Sequence, residues 1–397
     1  MSKTINPFNP GAGTPPPYLA GRKDEMEKFS NLLKNVEGGN SQNMMIYGHR
    51  GVGKTVLLHK MATSCIDGGF LPIVNRTYDR TYSDPKVFMK SLRYDVDKAI
   101  KTSSKRDKLN HQVGELEKYA RAKEIKIPEI ISDQPEYGSD DDLLVDQMRD
   151  YLESAYESLN AGFKGIIFML DEFHVIRDDE KKGWNALASF LGAINELQNE
   201  NYRYSLVLCG LPPMITQIGD ARSYSERMFE NMLEITNLDE DSTRKAILEP
   251  LRNSDWTFSE ELVSAILRDS NGYPYFIQFL SNEIIDRTDK SHIGIDDYQR
   301  VRDGIIEKLD SSFFDQRMAS LTAGQNSILR AMASIPKEEV EITSIYAKTH
   351  IKKDMISNHL ERLGEKGVIY RPDHGVYRFS MPLFRRYIID RYLSDNA

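Results

Sequence analysis

Gly48-His49-Arg50-Gly51-Val52-Gly53-Lys54-Thr55 fits the pattern G-x-x-x-x-G-K-[ST] at every fixed position. Ahead of it runs Asn43-Met44-Met45-Ile46-Tyr47, an apolar stretch with the length of a buried strand. Behind it, Val56 to Ala62 reads as a helix. Strand, glycine-rich loop and helix, in that order, form a phosphate site. Backbone N–H groups of the loop and of the helix start point at nucleotide phosphates. Residues 48–55 are therefore the expected cradle. Lys54 reaches the β- and γ-phosphates, and the Thr55 hydroxyl ligates Mg2+. ATP and Mg2+ are the expected ligands.

A second signal lies 117 residues after Lys54. Ile166-Ile167-Phe168-Met169-Leu170 is a continuous apolar run that ends in Asp171-Glu172. Such a run fits a central parallel strand covered on both faces. Its carboxyl end then sets Asp171 beside the phosphate loop, where it holds Mg2+ through water. Glu172 is placed to orient or deprotonate the attacking water.

Around these two motifs, apolar strand-length runs alternate with helical patterns. Phe70 to Val74, Tyr204 to Leu208 and Met232 to Ile235 read as strands; Pro85 to Ile100, Leu143 to Leu159 and Trp184 to Gln198 read as helices. Alternation of this kind predicts a three-layer α/β core with a parallel sheet over residues 18–237. From Asp239 the pattern turns helical, with stretches at 241–252, 259–269, 273–287 and 296–309. That predicts an all-α lid over residues 238–312. Residues 1–17, rich in Pro, Gly and Asn, read as a flexible arm. The basic stretch Lys101 to Lys126 and the acidic loop 128–142 read as solvated surface.

Residues 320–397 form a third pattern. A helix opens at Leu321-Thr322-Ala323-Gly324-Gln325, a short one covers Thr343 to Lys348, and a third carries Ile356, Leu360 and Leu363 on one stripe. Two strands then flank Pro372-Asp373-His374-Gly375. Three helices and a hairpin are the order of a winged helix. Its third helix is the one expected to enter a major groove. Lys352, Lys353, Ser357, Asn358 and Arg362, with Arg371 and Arg378 on the wing, are the candidate contacts to double-stranded DNA. The domain holds 12 Lys and Arg against 9 Asp and Glu, which is only mildly basic. A protein partner therefore stands beside DNA as the expected ligand of this region.

The whole chain of 397 residues carries a formal net charge of −8, which argues against a uniformly basic nucleic-acid binder. It has no apolar run of 18 residues, so no membrane span is expected. The N-terminus lacks the apolar centre of a secretory signal. The two cysteines, Cys65 and Cys209, sit in apolar surroundings and read as buried thiols of a cytoplasmic protein.

With these motifs the chain resembles the AAA+ ATPases, in particular the origin-recognition or initiator-like group and its STAND-type relatives, from about residue 18 to the end. Tyr18-Leu19-Ala20-Gly21-Arg22-Lys23-Asp24-Glu25 resembles that group's opening segment, which implies that Tyr18 and Arg22 lie near the adenine. Ser225-Glu226-Arg227-Met228-Phe229 lies where the family often carries an arginine finger. The resemblance thus implies Arg227, with Arg222 as runner-up, as a γ-phosphate sensor acting on a neighbouring subunit. ATP would then favour a homo-oligomer. In Asn271-Gly272-Tyr273-Pro274 the Gly-x-Pro resembles the STAND lid motif, which implies that Pro274 lines the nucleotide. Two departures stand out. The fourth strand ends Val207-Leu208-Cys209-Gly210-Leu211 without the usual polar sensor, and the lid lacks the initiators' sensor arginine. Fewer sensing charges mean weaker transition-state stabilisation, so slow hydrolysis and a switch-like cycle are expected. The alternatives are a nucleotide-binding regulatory scaffold with little hydrolysis, and a DNA-binding initiator or loader.

Overall fold

The computed structural model describes residues 5–11, 13–75, 80–103, 141–159, 162–215, 218 and 231–394. Five short apolar stretches form one parallel sheet: β1 (Met44–Gly48), β2 (Leu71–Asn75), β3 (Ile166–Leu170), β4 (Tyr204–Gly210) and β5 (Met232–Ile235). Their spatial order is β2-β3-β4-β1-β5. Every residue of β3 and β4 is buried, so both faces of the sheet are covered and the core has three layers. The covering helices are α1 (Lys23–Glu37), α2 (Lys54–Asp67), α3 (Pro85–Ser103), α4 (Asp141–Glu157) and α5 (Ala186–Asn199). Asp141 and Asp142 belong to α4 rather than to the expected loop. Of the basic stretch, residues 104–126 lie outside the described residues.

This strand order positions the site. β4 stands between β1 and β3, pairing Met45 with Leu208 on one side and Leu170 with Leu208 on the other. The loop after β1 and the acids after β3 therefore face each other across the end of β4. Ligands of open α/β sheets gather at this carboxyl edge.

Beyond β5 the chain runs through α6 (Glu240–Leu251), β6 (Thr257–Phe258), α7 (Glu260–Ser270), α8 (Pro274–Asp286), β7 (His292–Ile293) and α9 (Ile295–Leu309). The starts are set by caps: Asp239 accepts from the Ser242 N–H at 2.7 Å, and Ser259 from the Leu262 N–H at 3.3 Å. The helical region is not all-α, because β6 and β7 pair in parallel. A π-helical turn, Asp310–Phe314, leads into α10 (Asp315–Ala319).

The C-terminal region holds α11 (Ala323–Ala333), β8 (Val340–Glu341), α12 (Ile342–Lys348), α13 (Lys353–Glu365), β9 (Ile369–Asp373), β10 (Val376–Phe379) and α14 (Phe384–Tyr392). The strands make a three-stranded sheet in the order β8-β10-β9. β8 and α14 extend the helix-and-hairpin pattern read from the sequence.

The N-terminal segment is pinned where composition predicts a flexible arm. Phe8 is 3% exposed and stacks on Phe258 with centroids 6.3 Å apart. The Asn282 side chain donates to the Phe8 carbonyl at 3.1 Å, and Asn6 donates to the Asn282 carbonyl at the same distance. One aromatic side chain supplies the apolar burial, and the paired amides satisfy the backbone around it.

Candidate functional site

The phosphate loop closes on its own lysine. Lys54 is 6% exposed, and its Nζ donates to the carbonyls of Gly48 at 2.9 Å and His49 at 2.8 Å. Helix α2 starts at this residue, so the first N–H groups of α2 face the loop without helical partners. Gly51 has φ +78, and the Tyr273 hydroxyl donates to the Arg50 carbonyl at 2.7 Å. A Cβ on Gly51 would lie 2.0 Å from that hydroxyl oxygen, so only glycine lets the lid tyrosine reach the loop.

Across the end of β4 the Thr55 hydroxyl donates to Asp171 Oδ2 at 2.6 Å. The other Asp171 oxygen accepts the Glu172 backbone N–H at 2.8 Å. Asp171 is 3% exposed; burial raises its pKa, the neighbouring Glu172 charge adds to the rise, and the Thr55 hydrogen bond opposes it. Loop hydroxyl and buried carboxylate together are a hard-oxygen pair suited to Mg2+. Glu172 takes a left-handed backbone conformation, φ 52, at the turn out of β3.

Two further residues of the site, Cys209 in β4 and His174 in the turn after β3, are not legible in the sequence as site residues. The Cys209 thiol is fully buried; burial raises its pKa, and the Asp171 charge beside it adds to the rise. His174 is 6% exposed; its Nδ1 accepts the Leu211 N–H at 3.3 Å, and its Nε2 lies 3.5 Å from Glu172 Oε2. Burial holds its pKa down to about 4, so the ring is neutral and Nε2 carries the proton toward Glu172. The available signal was its position three residues after Asp171, within one 3-10 turn over Phe173–Val175.

A cleft of 420 Å³ opens over the loop. Residues 50–56, Glu172, Tyr18, Pro274 and Arg317 line it, with Asn9 to Gly11 of the N-terminal segment on one wall. Pro274 stands at the start of α8. Arg22 reaches the rim, but its guanidinium donates to the carbonyls of Val52 at 3.0 Å and Thr236 at 2.7 Å and pairs with Glu25 at 3.4 Å. It braces the loop from behind. A larger groove of 680 Å³ lies beyond Arg22 and contains none of residues 48–55.

The C-terminal region touches the tip of the loop. The Tyr370 ring packs on His49 with centroids 4.1 Å apart, and Glu365 pairs with Arg177 at 2.9 Å. A Cβ on Gly367 would lie 3.1 Å from Arg50 Cγ. Burial and the Lys54 charge hold the His49 pKa down to about 4. Lys352, Lys353, Ser357, Asn358, Arg362 and Arg371 are exposed on α13 and β9. Arg378 is already engaged by Glu338 and, at 3.6 Å, by Glu339, so it is not a free cation. Arg222 and Arg227 lie outside the described residues.

Residues 18–201 match the family model of the AAA ATPase domain, and residues 311–388 match a domain of unknown function, DUF8462. No curated protein matches the chain in sequence. A Walker-type ATPase of Pyrococcus abyssi shares the fold at 17% identity and a TM-score of 0.60, over 96% of this chain and 98% of its own. The ORC2 protein of Aeropyrum pernix, in ADPNP and ADP complexes, shares it at 14% identity and 0.57, over 98% and 97%. The core therefore has the fold of a P-loop AAA+ ATPase domain. Among the described residues, no helix is long and apolar enough to cross a membrane.

Proposed function

We propose that the chain binds and slowly hydrolyses ATP, and that its C-terminal region reads the nucleotide state of the phosphate loop. The observation that carries this reading is the 2.6 Å bond between Thr55 and Asp171, which joins the two halves of the motif beside Lys54. Phosphates entering the cleft would meet the α2 N–H groups and draw the Lys54 ammonium from the loop carbonyls. Thr55 and Asp171 would hold Mg2+, which supplies charge neutralisation on the phosphates. Glu172 takes the proton of the attacking water, and the neutral His174 ring fixes the direction of that carboxylate. No charged or amide side chain ends β4, so little is added to the developing charge, consistent with slow turnover.

Coupling to the C-terminal region rests on the Tyr370–His49 and Gly367–Arg50 contacts. We read residues 320–394 as a winged helix whose docking changes with the ligand. Its exposed cations, Lys352, Lys353, Arg362 and Arg371, form no ion pair among the described residues. That favours double-stranded DNA as its second ligand, and a protein partner remains the alternative reading. ATP-dependent self-association would bring Arg227, or Arg222, to a neighbouring cleft.

ATP binding and single-turnover hydrolysis test the reading together. Lys54→Ala is expected to abolish binding. Glu172→Gln is expected to bind with parental affinity and to hydrolyse about 10²–10⁴-fold more slowly. Parental turnover in Glu172→Gln would remove Glu172 from the mechanism, and parental binding in Lys54→Ala would remove the site.

A further inference from the structure

We infer that Arg317 is a binding residue for the terminal phosphate of the nucleotide, contributed from the joint between the lid and the C-terminal region. The inference rests on reading the 420 Å³ cleft as a nucleotide site. Arg317 lies on α10, far in sequence from both motifs, yet lines that cleft with residues 50–55 and Glu172. Its guanidinium carbon sits 3.6 Å over the Phe313 ring, and Nη1 donates to the Phe313 carbonyl at 3.0 Å. Phe313 is itself wedged between Tyr275 at 5.0 Å and Phe276 at 5.4 Å. The side chain is thus held in place.

Among the described residues no carboxylate pairs with it. Burial disfavours its charge, and the Arg50 charge works in the same direction. Arg317, half-buried, and Arg50, exposed, thus line one cleft, and neither forms an ion pair among the described residues. A partly desolvated guanidinium gains from an anion, and it suits phosphate oxygens because it offers several donors in one plane. Glu172, proposed above to take the proton of the water that attacks the terminal phosphate, lines the same cleft as both arginines. The anion that satisfies both arginines is therefore the outermost phosphate of a nucleoside triphosphate. Arg317 supplies the cation that the lid motif lacks. Because α10 joins the lid to α11, the same contact ties phosphate occupancy to the C-terminal region.

Arg317→Gln keeps the length of the side chain and removes its charge. Equilibrium binding of ATP and of ADP to the full chain is the test. ATP affinity is expected to fall on the order of tenfold. ADP affinity is expected to stay within about threefold of the parent, which also shows that the cleft is folded. Arg317→Lys should recover part of the loss. Unchanged ATP affinity, or an equal loss for ATP and ADP, overturns the assignment. If Lys54→Ala also binds both nucleotides like the parent, the cleft reading itself falls, a separate failure.

Discussion

Replacing His174 by Asn should flatten the acid side of the stability profile. The ring is neutral in the fold because it is buried and because Nδ1 already accepts the Leu211 N–H. Its pKa drops from 6.5 to about 4 on folding. A depressed histidine pKa means that the unfolded chain binds the proton more readily. Its stability contribution is therefore complete above the unfolded value and is lost as pH falls from 6.5 toward 4. Between pH 7.5 and pH 5 the loss is about 2 kcal/mol, from ~1.4 kcal/mol per pKa unit.

Other groups titrate in the same window. Asp95, raised to about 7 by burial, runs the opposite way: its contribution is lost as pH rises. Comparing parent with His174→Asn removes such terms, since both proteins carry them. Urea unfolding at pH 7.5 and pH 5, followed by Trp184 fluorescence in a Trp256→Phe background, gives the two differences. The parent should lose about 2 kcal/mol more than the variant. Equal losses in the two proteins would refute the neutral, buried imidazole and its role in directing Glu172.

Gly51→Ala meets both a φ of +78 and the Tyr273 hydroxyl. It should cost roughly 1–3 kcal/mol of stability and weaken ATP binding. Tyr273→Leu in the same chain removes both the hydroxyl and the ring carbon 2.4 Å from the new Cβ, and should restore part of the binding loss; a Gly51→Ala protein that melts and binds like the parent contradicts the close approach. Tyr370→Ala frees the loop tip from a ring contact worth about 0.5–1.5 kcal/mol. If that contact holds the tip in its nucleotide-free form, ATP affinity should rise about two- to tenfold in equilibrium titrations. An unchanged affinity separates the C-terminal region from the loop.

What the sequence discloses is local. Residues 48–55 are contiguous, and β3 has the bounds of its apolar run because each of its residues is buried on one face or the other. The helix limits follow from nearby caps such as Asp239 and Ser259. What it hides is made by residues distant along the chain. Phe8 reads as part of a loose segment until Phe258 and Asn282 are brought to it. Arg378 reads as a free cation until Glu338 and Glu339 arrive from the turn before β8. Cys209 reads as an apolar thiol, and only the order β3-β4-β1 sets it beside Asp171.

The same distinction explains how nucleotide state could be read at a distance. A ligand shifts a domain equilibrium only if it interacts differently with the two arrangements. Here two domains grip three consecutive loop residues: Tyr273 holds the Arg50 carbonyl over Gly51, and Tyr370 covers His49. Neither tyrosine needs to touch the nucleotide. Any movement of residues 49–51 toward a phosphate changes both contacts at once, and Arg317 faces the same point from the joint between those domains. Two grips on one loop, one from each of these regions, make its shape the shared variable. In the proposed cycle the coupling is set by packing at the loop tip rather than by the hydrolytic step, so it does not require fast turnover.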